Sequence, residues 1–267
     1  MIRRNLPFAV LATAFLTLGV SIARAQDTTR DSVTPPGMRL DGSRLAPVRL
    51  TYAVTRDSAV VPSERVVDIS HTAYSGRPAW LLVETHSAPG VGPDTAPGGS
   101  NGEAGKFADS LIVDSLTLQP LHWGGVNGYT SVGAEFRSDS MFGVVSTPAG
   151  RRSIIAALPP GTLIGASMIE AAFRALPMAS GWRDSAAVLA NGIGTTRVFE
   201  AELEVVGQDQ HLIVPAGTYD CWIVTLTTDV AQTTYWVAKQ GGVVVKTSQL
   251  LPDNGGLLTY SLSRVGQ

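Results

Sequence analysis

The chain reads as mainly β with minor α, built from antiparallel strands, and three observations lead there. Runs rich in Val, Ile, Thr, Tyr and Trp recur along most of its length, punctuated by Gly, Pro and Asn where the chain must reverse. His211 to Gln249 shows this best: three such runs, with reversals at Pro215-Ala216-Gly217, Asp229-Val230-Ala231 and Gln240-Gly241-Gly242, make a β-meander. Only the segment between Pro159-Pro160 and Pro177 carries a clear helical period. Hydrophobic residues at 44% and charged residues at 16% place the chain among globular proteins and away from disordered ones.

The N-terminus sets the compartment. Arg3 and Arg4 precede an apolar run from Phe8 to Val20, and Ala23-Arg24-Ala25 is a small-x-small site before Gln26. Residues 1–25 therefore read as a secretory signal peptide cleaved near Ala25, giving an exported protein, periplasmic or secreted. The apolar run is shorter than the ~20 residues a spanning helix needs, and no cysteine follows the cleavage site, so no stable membrane anchor is expected. Cleavage removes three arginines and no acid and moves the formal charge from -2 to -5. A mildly acidic chain without a basic stripe is a poor partner for nucleic acid or anionic lipid.

Residues 26–46 mix Asp, Thr, Ser, Arg and Pro without period and read as a flexible leader, with order beginning near Pro47 and one β-rich domain filling 47–267. Leu50, Tyr52 and Val54 alternate with Arg49, Thr51, Ala53 and Thr55, a half-buried strand; Arg65 to Thr72 and Pro78 to His86 continue the pattern across a turn at Ser75-Gly76. Residues 87–106 then crowd together Gly and Pro and read as a disordered loop. Strands resume over Ser110 to Leu118, Leu121 to Gly125 and Tyr129 to Ser138, the last two joined by Asn127-Gly128, a strong hairpin signal. Ser140 to Thr147 and Arg151 to Ala157 form another hairpin about Pro148-Ala149-Gly150.

In the helix, Ile164, Met168, Ile169, Ala172, Phe173 and Leu176 share one arc, expected to face the sheet. Ser167, Glu170 and Arg174 share the opposite arc, expected to face solvent, with Glu170 and Arg174 an i,i+4 pair. Asp184 to Leu189 reads as a strand, followed by a turn at Asn191-Gly192 and a long strand from Thr195 to Val206, whose Glu200, Glu202 and Glu204 read as a solvated sheet edge. In the meander, Trp222, Val224 and Leu226 make the greasier face, and Gly256 to Val265 supplies the final strand.

No catalytic set is visible. Gly165-Ala166-Ser167 matches half of a nucleophile elbow, but Ile169 replaces the second glycine and Ser167 falls inside a helix. His71, His86, His122 and His211 show no ligand spacing, and their reading is surface or strand-end histidines, so no metal is expected. Gly192-Ile193-Gly194 lacks the third glycine of a phosphate cradle, and no cofactor is expected. Cys221, the single cysteine, reads as a small buried apolar group. The tryptophans, Trp80, Trp123, Trp182, Trp222 and Trp236, belong to the core or to a concave site.

VPAGTYDCWIV from Val214, TTYWVAK from Thr233 and GGVVVKT from Gly241, with VDSLTLQP at Val113 to Pro120 and the segment Pro159 to Trp182, resemble an uncharacterised family of bacterial periplasmic domains. That family resembles in fold the LolA and LolB lipoprotein carriers. The resemblance implies a curved antiparallel sheet or half-barrel with one or two covering helices over its concave side and an apolar groove between them. It points to a non-enzymatic protein holding a lipid or other hydrophobic molecule, with Trp222, Trp236, Met168 and Phe173 as candidate lining residues. Two alternatives stand beside it: an interaction or structural module of envelope assembly that engages another envelope protein, and a hydrolase whose residues converge only in three dimensions.

Overall fold

The computed structural model describes residues 38–87, 107–127, 130–192, 195–251 and 255–266. The expected signal peptide, the leader before Met38, all but the first residue of the 87–106 loop and the tip of the Asn127-Gly128 hairpin lie outside the described residues. Among the described residues one sheet holds fifteen strands: β1 (Val48–Arg56), β2 (Ala59–Tyr74), β3 (Arg77–Ser87), β4 (Phe107–Asp114), β5 (Pro120–Asn127), β6 (Thr130–Arg137), β7 (Ser140–Thr147), β8 (Gly150–Ala157), β9 (Leu163–Ile164), β10 (Arg183–Gly192), β11 (Thr195–Val214), β12 (Gly217–Thr227), β13 (Gln232–Ala238), β14 (Val244–Leu250) and β15 (Leu257–Gly266). The helix α1 (Gly165–Ala175) lies between β9 and β10.

Almost every strand pairs with its neighbours in sequence, and β15 pairs back onto β1, so the order runs from β8 through β1 and β15 to β9. Short reversals are all that antiparallel pairing needs, which is why the turn signals mark most of this topology. The pairing of β9 with β10 is parallel, as a crossover through α1 requires. Asn191 and Gly192, expected as a turn, are strand residues opposite Thr196 and Thr195. Glu200 and Glu202 are solvated as expected, but β11 lies between β10 and β12, so their exposure belongs to a sheet face and not to an edge.

The sheet curls around α1. The helix meets β4 through Asp109 beside Gly165, β2 and β1 through Arg65 and Tyr52 at Glu170, and β13 through Tyr235 at Phe173. Those contacts span seven consecutive strands, from β4 round to β13, which a flat sheet could not bring to one helix. The solvent-facing arc expected from helical period is therefore corrected: Ser167 and Glu170 are 2% and 3% exposed, as buried as Met168 and Phe173. Glu170 pairs with Arg65 of β2, and the Arg174 Nε instead donates to the Gly241 carbonyl at 3.4 Å. A hydrophobic stripe predicts which side of a helix meets an apolar wall, and here the opposite side meets a polar one.

Gly242 shows how tightly the helix end is held. Its φ is +64°, and a Cβ there would lie 2.7 Å from the Arg174 Cα, so the β13 to β14 turn closes on the α1 backbone with no room for a side chain.

The expected leader is also corrected over its described part. Met38 and Leu45 are buried in the core, and a 3₁₀ turn over Gly42–Arg44, capped by the Asp41 side chain, presents the Gly42 carbonyl to the Trp80 indole N–H at 3.1 Å. Met38, Leu40 and Leu45 are too few apolar residues in a polar stretch to repeat at either a strand or a helix period. Leu45→Ala is expected to cost about 2–4 kcal/mol in urea unfolding and Arg44→Ala, at an exposed neighbour, less than about 0.5 kcal/mol. Equal and small effects would return this segment to a leader.

Candidate functional site

Beneath the strand ends at one rim of the sheet, inward-facing positions are polar. In β2, Arg65 is in phase with the buried Val67 and Ile69; in β3, Glu84 is in phase with Trp80 and Leu82; in β4, Asp109 is in phase with Leu111 and Val113. Strand alternation thus aims three charged groups at the interior. Register makes them neighbours, with Arg65 opposite Tyr52 and His86, and Glu84 opposite Asp109.

Arg65 is the centre. Its side chain is 3% exposed; Nε donates to Glu84 Oε1 at 2.8 Å, and one terminal nitrogen donates to Glu170 Oε1. The guanidinium lies 5.2 Å from the Tyr52 ring centre and 5.4 Å from that of Tyr260, so aromatic faces cover it on two strands. Its other terminal nitrogen, Nη2, is buried and unpartnered among the described residues, as are Thr247 Oγ1 and Arg174 Nη1. The His86 Nε2 lies 2.9 Å from Glu84 Oε1, and its ring, 16% exposed and edge-on to Phe107 and Tyr260, is the member of the network nearest solvent. Two further bonds complete it: the Tyr52 hydroxyl lies 3.0 Å from the Val244 carbonyl and 3.1 Å from Glu170 Oε2.

Burial drives the electrostatics, and the partners decide its sign. Burial pushes Glu84 up, but the Arg65 charge and the hydrogen bonds from His86 and Arg65 outweigh it and hold the carboxyl well below its usual range. For Glu170 burial prevails over Arg65, helped by the nearby Glu84 charge, and its carboxyl is raised. Burial also pushes Asp109 up to about 7, against the hydrogen bond from the Trp123 indole and with Glu84 adding to the rise. One guanidinium thus stabilises one carboxylate fully, and the second and third carboxyls are driven toward the neutral form.

The candidate lining residues do not converge. Met168 and Phe173 are 1% exposed inside the helix packing. Trp222 and Trp236 lie on opposite faces of the sheet, since Trp222 is in phase with the buried Val224 and Trp236 out of phase with the buried Tyr235 and Val237; Lys239 covers the first ring at 4.4 Å and Lys246 the second at 4.6 Å. Trp80 stacks on His71 at 4.0 Å, and His122 contacts Glu135 at 2.8 Å, while His86, near the end of β3, turns into the buried network instead of facing solvent. Cys221 is buried as expected, and burial with the Asp209 and Asp220 charges pushes its thiol up to about 12, leaving it unreactive. Among the described residues no group of three His, Cys, Asp or Glu is arranged to hold a metal ion.

The network residues carried a signal in the sequence: a charged residue in phase with buried apolar ones in each of three strands. Glu170 carried none, because helical period sets it opposite the apolar arc.

Asp109 makes the protein's stability fall with rising pH. Its folded value of about 7 lies above the ordinary 3.8, so the folded state holds the extra proton between the two. Its contribution is fully present below about pH 4, is lost as pH rises through about 7 and is flat above, a span of up to about 4 kcal/mol. Asp109→Asn keeps an acceptor for Trp123 and is expected to flatten this dependence, with the variant the more stable protein at about pH 8 in urea unfolding. An unchanged pH profile would place the Asp109 carboxylate in a solvated site.

Comparison with known proteins gives the chain a family. No curated protein matches it. Among solved structures it is similar to a β-barrel-like protein of domain of unknown function DUF1849 from Brucella abortus, at 11% identity and a TM-score of 0.49, covering 83% of this chain and 98% of that one. It is also similar to a presumptive exported protein with a YmcC-like fold from Bacteroides fragilis, at 7% identity and a TM-score of 0.36 over 86% of this chain and 100% of that one. A presumptive lipoprotein from Parabacteroides distasonis stands at 9% identity and 0.37 over the same shares. The lipoprotein carriers expected from the sequence are not among these likenesses, whereas the uncharacterised family is borne out in kind. A family model described as a protein of unknown function, DUF3108, matches residues 65–260, and the chain belongs to that family.

Proposed function

We propose that this protein is an exported, non-enzymatic binding module of the cell envelope that meets a protein partner on the outer face and rim of its sheet. The observation that carries this reading is the filled interior: α1 is buried from Ser167 through Phe173 and again at Ala175, and its own side chains occupy the space between helix and sheet. A lipid or other hydrophobic ligand in that space would have to displace Met168 and Phe173 from a closely packed core, which costs several kcal/mol before any contact is gained. A hydrolytic role has weaker support still, since the buried acids and His86 are engaged with one another and Ser167 lies within the helix packing.

The outer face offers apolar surface instead. On β7 and the edge strand β8, Phe142 and Ile155 stand directly opposite each other, with Ile155 73% exposed and the Arg137 guanidinium 4.8 Å from the Phe142 ring centre. Export is supported by Arg3, Arg4, the Phe8 to Val20 run and Ala23-Arg24-Ala25.

Native mass spectrometry of the protein purified from its envelope without detergent tests both parts. The expected mass is that of the polypeptide from Gln26, free of lipid; a stoichiometric lipid adduct would favour the carrier reading and overturn this one. A photo-crosslinking residue at Ile155 in living cells is expected to give one discrete protein adduct, and its absence there and at Phe142 would remove this face from consideration.

A further inference from the structure

We infer that Glu170 is a neutral carboxylic acid which donates its proton to Tyr52, so that the docking of α1 inside the sheet depends on one stored proton. The hydrogens available to the Tyr52 hydroxyl require this. The Tyr52 hydroxyl has one, and it lies 3.0 Å from the Val244 carbonyl, which can only accept. That bond uses the hydroxyl hydrogen. The contact of 3.1 Å between the same hydroxyl and Glu170 Oε2 then needs a hydrogen from the acid. Glu170 Oε1 remains the acceptor for Arg65, so the carboxyl is fully used: one oxygen accepts, the other donates.

Charge balance leads to the same state. The groups facing Glu170 are Tyr52 from β1, Arg65 from β2, Glu84 and His86 from β3, Tyr235 from β13 and Tyr260 from β15, with Asp109 of β4 at the helix start and Arg174 one turn on. Arg65 is the one guanidinium shared by Glu84 and Glu170, and Glu84 is bonded to His86 as well. A buried Arg65 and Glu84 pair is neutral; a second ionised carboxylate in this interior would be uncompensated, which burial penalises heavily. Raising pH removes the Glu170 proton. It then leaves two acceptors, Glu170 Oε2 and the Val244 carbonyl, competing for one hydroxyl hydrogen, and a net negative charge against the helix.

The test uses the full mature chain in an Asp109→Asn background, which removes the second raised carboxyl. The infrared carbonyl band of a protonated carboxyl is expected at neutral pH and is expected to vanish on Glu170→Gln. Protection of the α1 amides from hydrogen exchange, corrected for intrinsic rates, is expected to fall by up to about tenfold per pH unit above the ordinary carboxyl range while folded Glu170 still holds its proton, to level off once that proton is lost, and to stay flat throughout in Glu170→Gln, whose amide keeps both a donor and an acceptor. No band difference between the two, or the same pH slope in both, overturns the inference. Tyr52→Phe gives an independent sign. Losing the acceptor of the Glu170 proton should lower the pH at which the band disappears, and a rise would mean that Tyr52 donates to an ionised Glu170.

Discussion

The guanidinium of Arg65 is the constraint on which the architecture depends. It projects from β2 between sheet and helix, and it reaches Glu84 on the adjacent strand β3, two residues from its register partner His86, and Glu170 on α1. A cation at 3% exposure is tolerable only with its charge paired, and here Nε and one terminal nitrogen each meet a carboxyl, which ties three elements to one geometry. Hydrophobic burial supplies most of the free energy of folding, as in any globular protein. The polar centre contributes something different: it admits few registers of α1 against the sheet, because a slipped helix would leave a second terminal nitrogen of Arg65 and the buried Glu170 carboxyl without partners.

That division explains why a meander with local connections encloses a crossover. β9, α1 and β10 form a parallel unit inside a sheet otherwise built from neighbouring antiparallel strands. The helix begins beside Asp109 near one rim and ends beneath Gly242 at the other, so it threads the curl obliquely and is gripped at both ends as well as at its middle. The buried Met38 and Leu45 on either side of the 3₁₀ turn join the same core, with Trp80 bonded to the turn.

Much of this was legible in the sequence where local chemistry dominates. Asn127-Gly128, Pro148-Ala149-Gly150 and Pro215-Ala216-Gly217 mark reversals between strands that do pair, and Leu50, Tyr52 and Val54 alternate into the core as expected. The site was half legible. Arg65, Glu84 and Asp109 each stand in phase with buried apolar neighbours, a conflict between residue type and position that marks polar interiors. Glu170 was illegible, because Arg174 four residues on offered a local partner that explained it. Long-range pairing replaced that local pair, and no pattern within one helix encodes the wall it will face.

A double-mutant cycle between Arg65→Met and Glu170→Leu, read as unfolding free energy in urea, tests the central claim that the sheet guanidinium positions the helix. The two substitutions are expected to be strongly non-additive, with a coupling of about 1 kcal/mol or more and part of the stability lost by either single variant restored in the double. Additive losses would mean that Arg65 and α1 are held independently, and that apolar packing alone sets the helix in place.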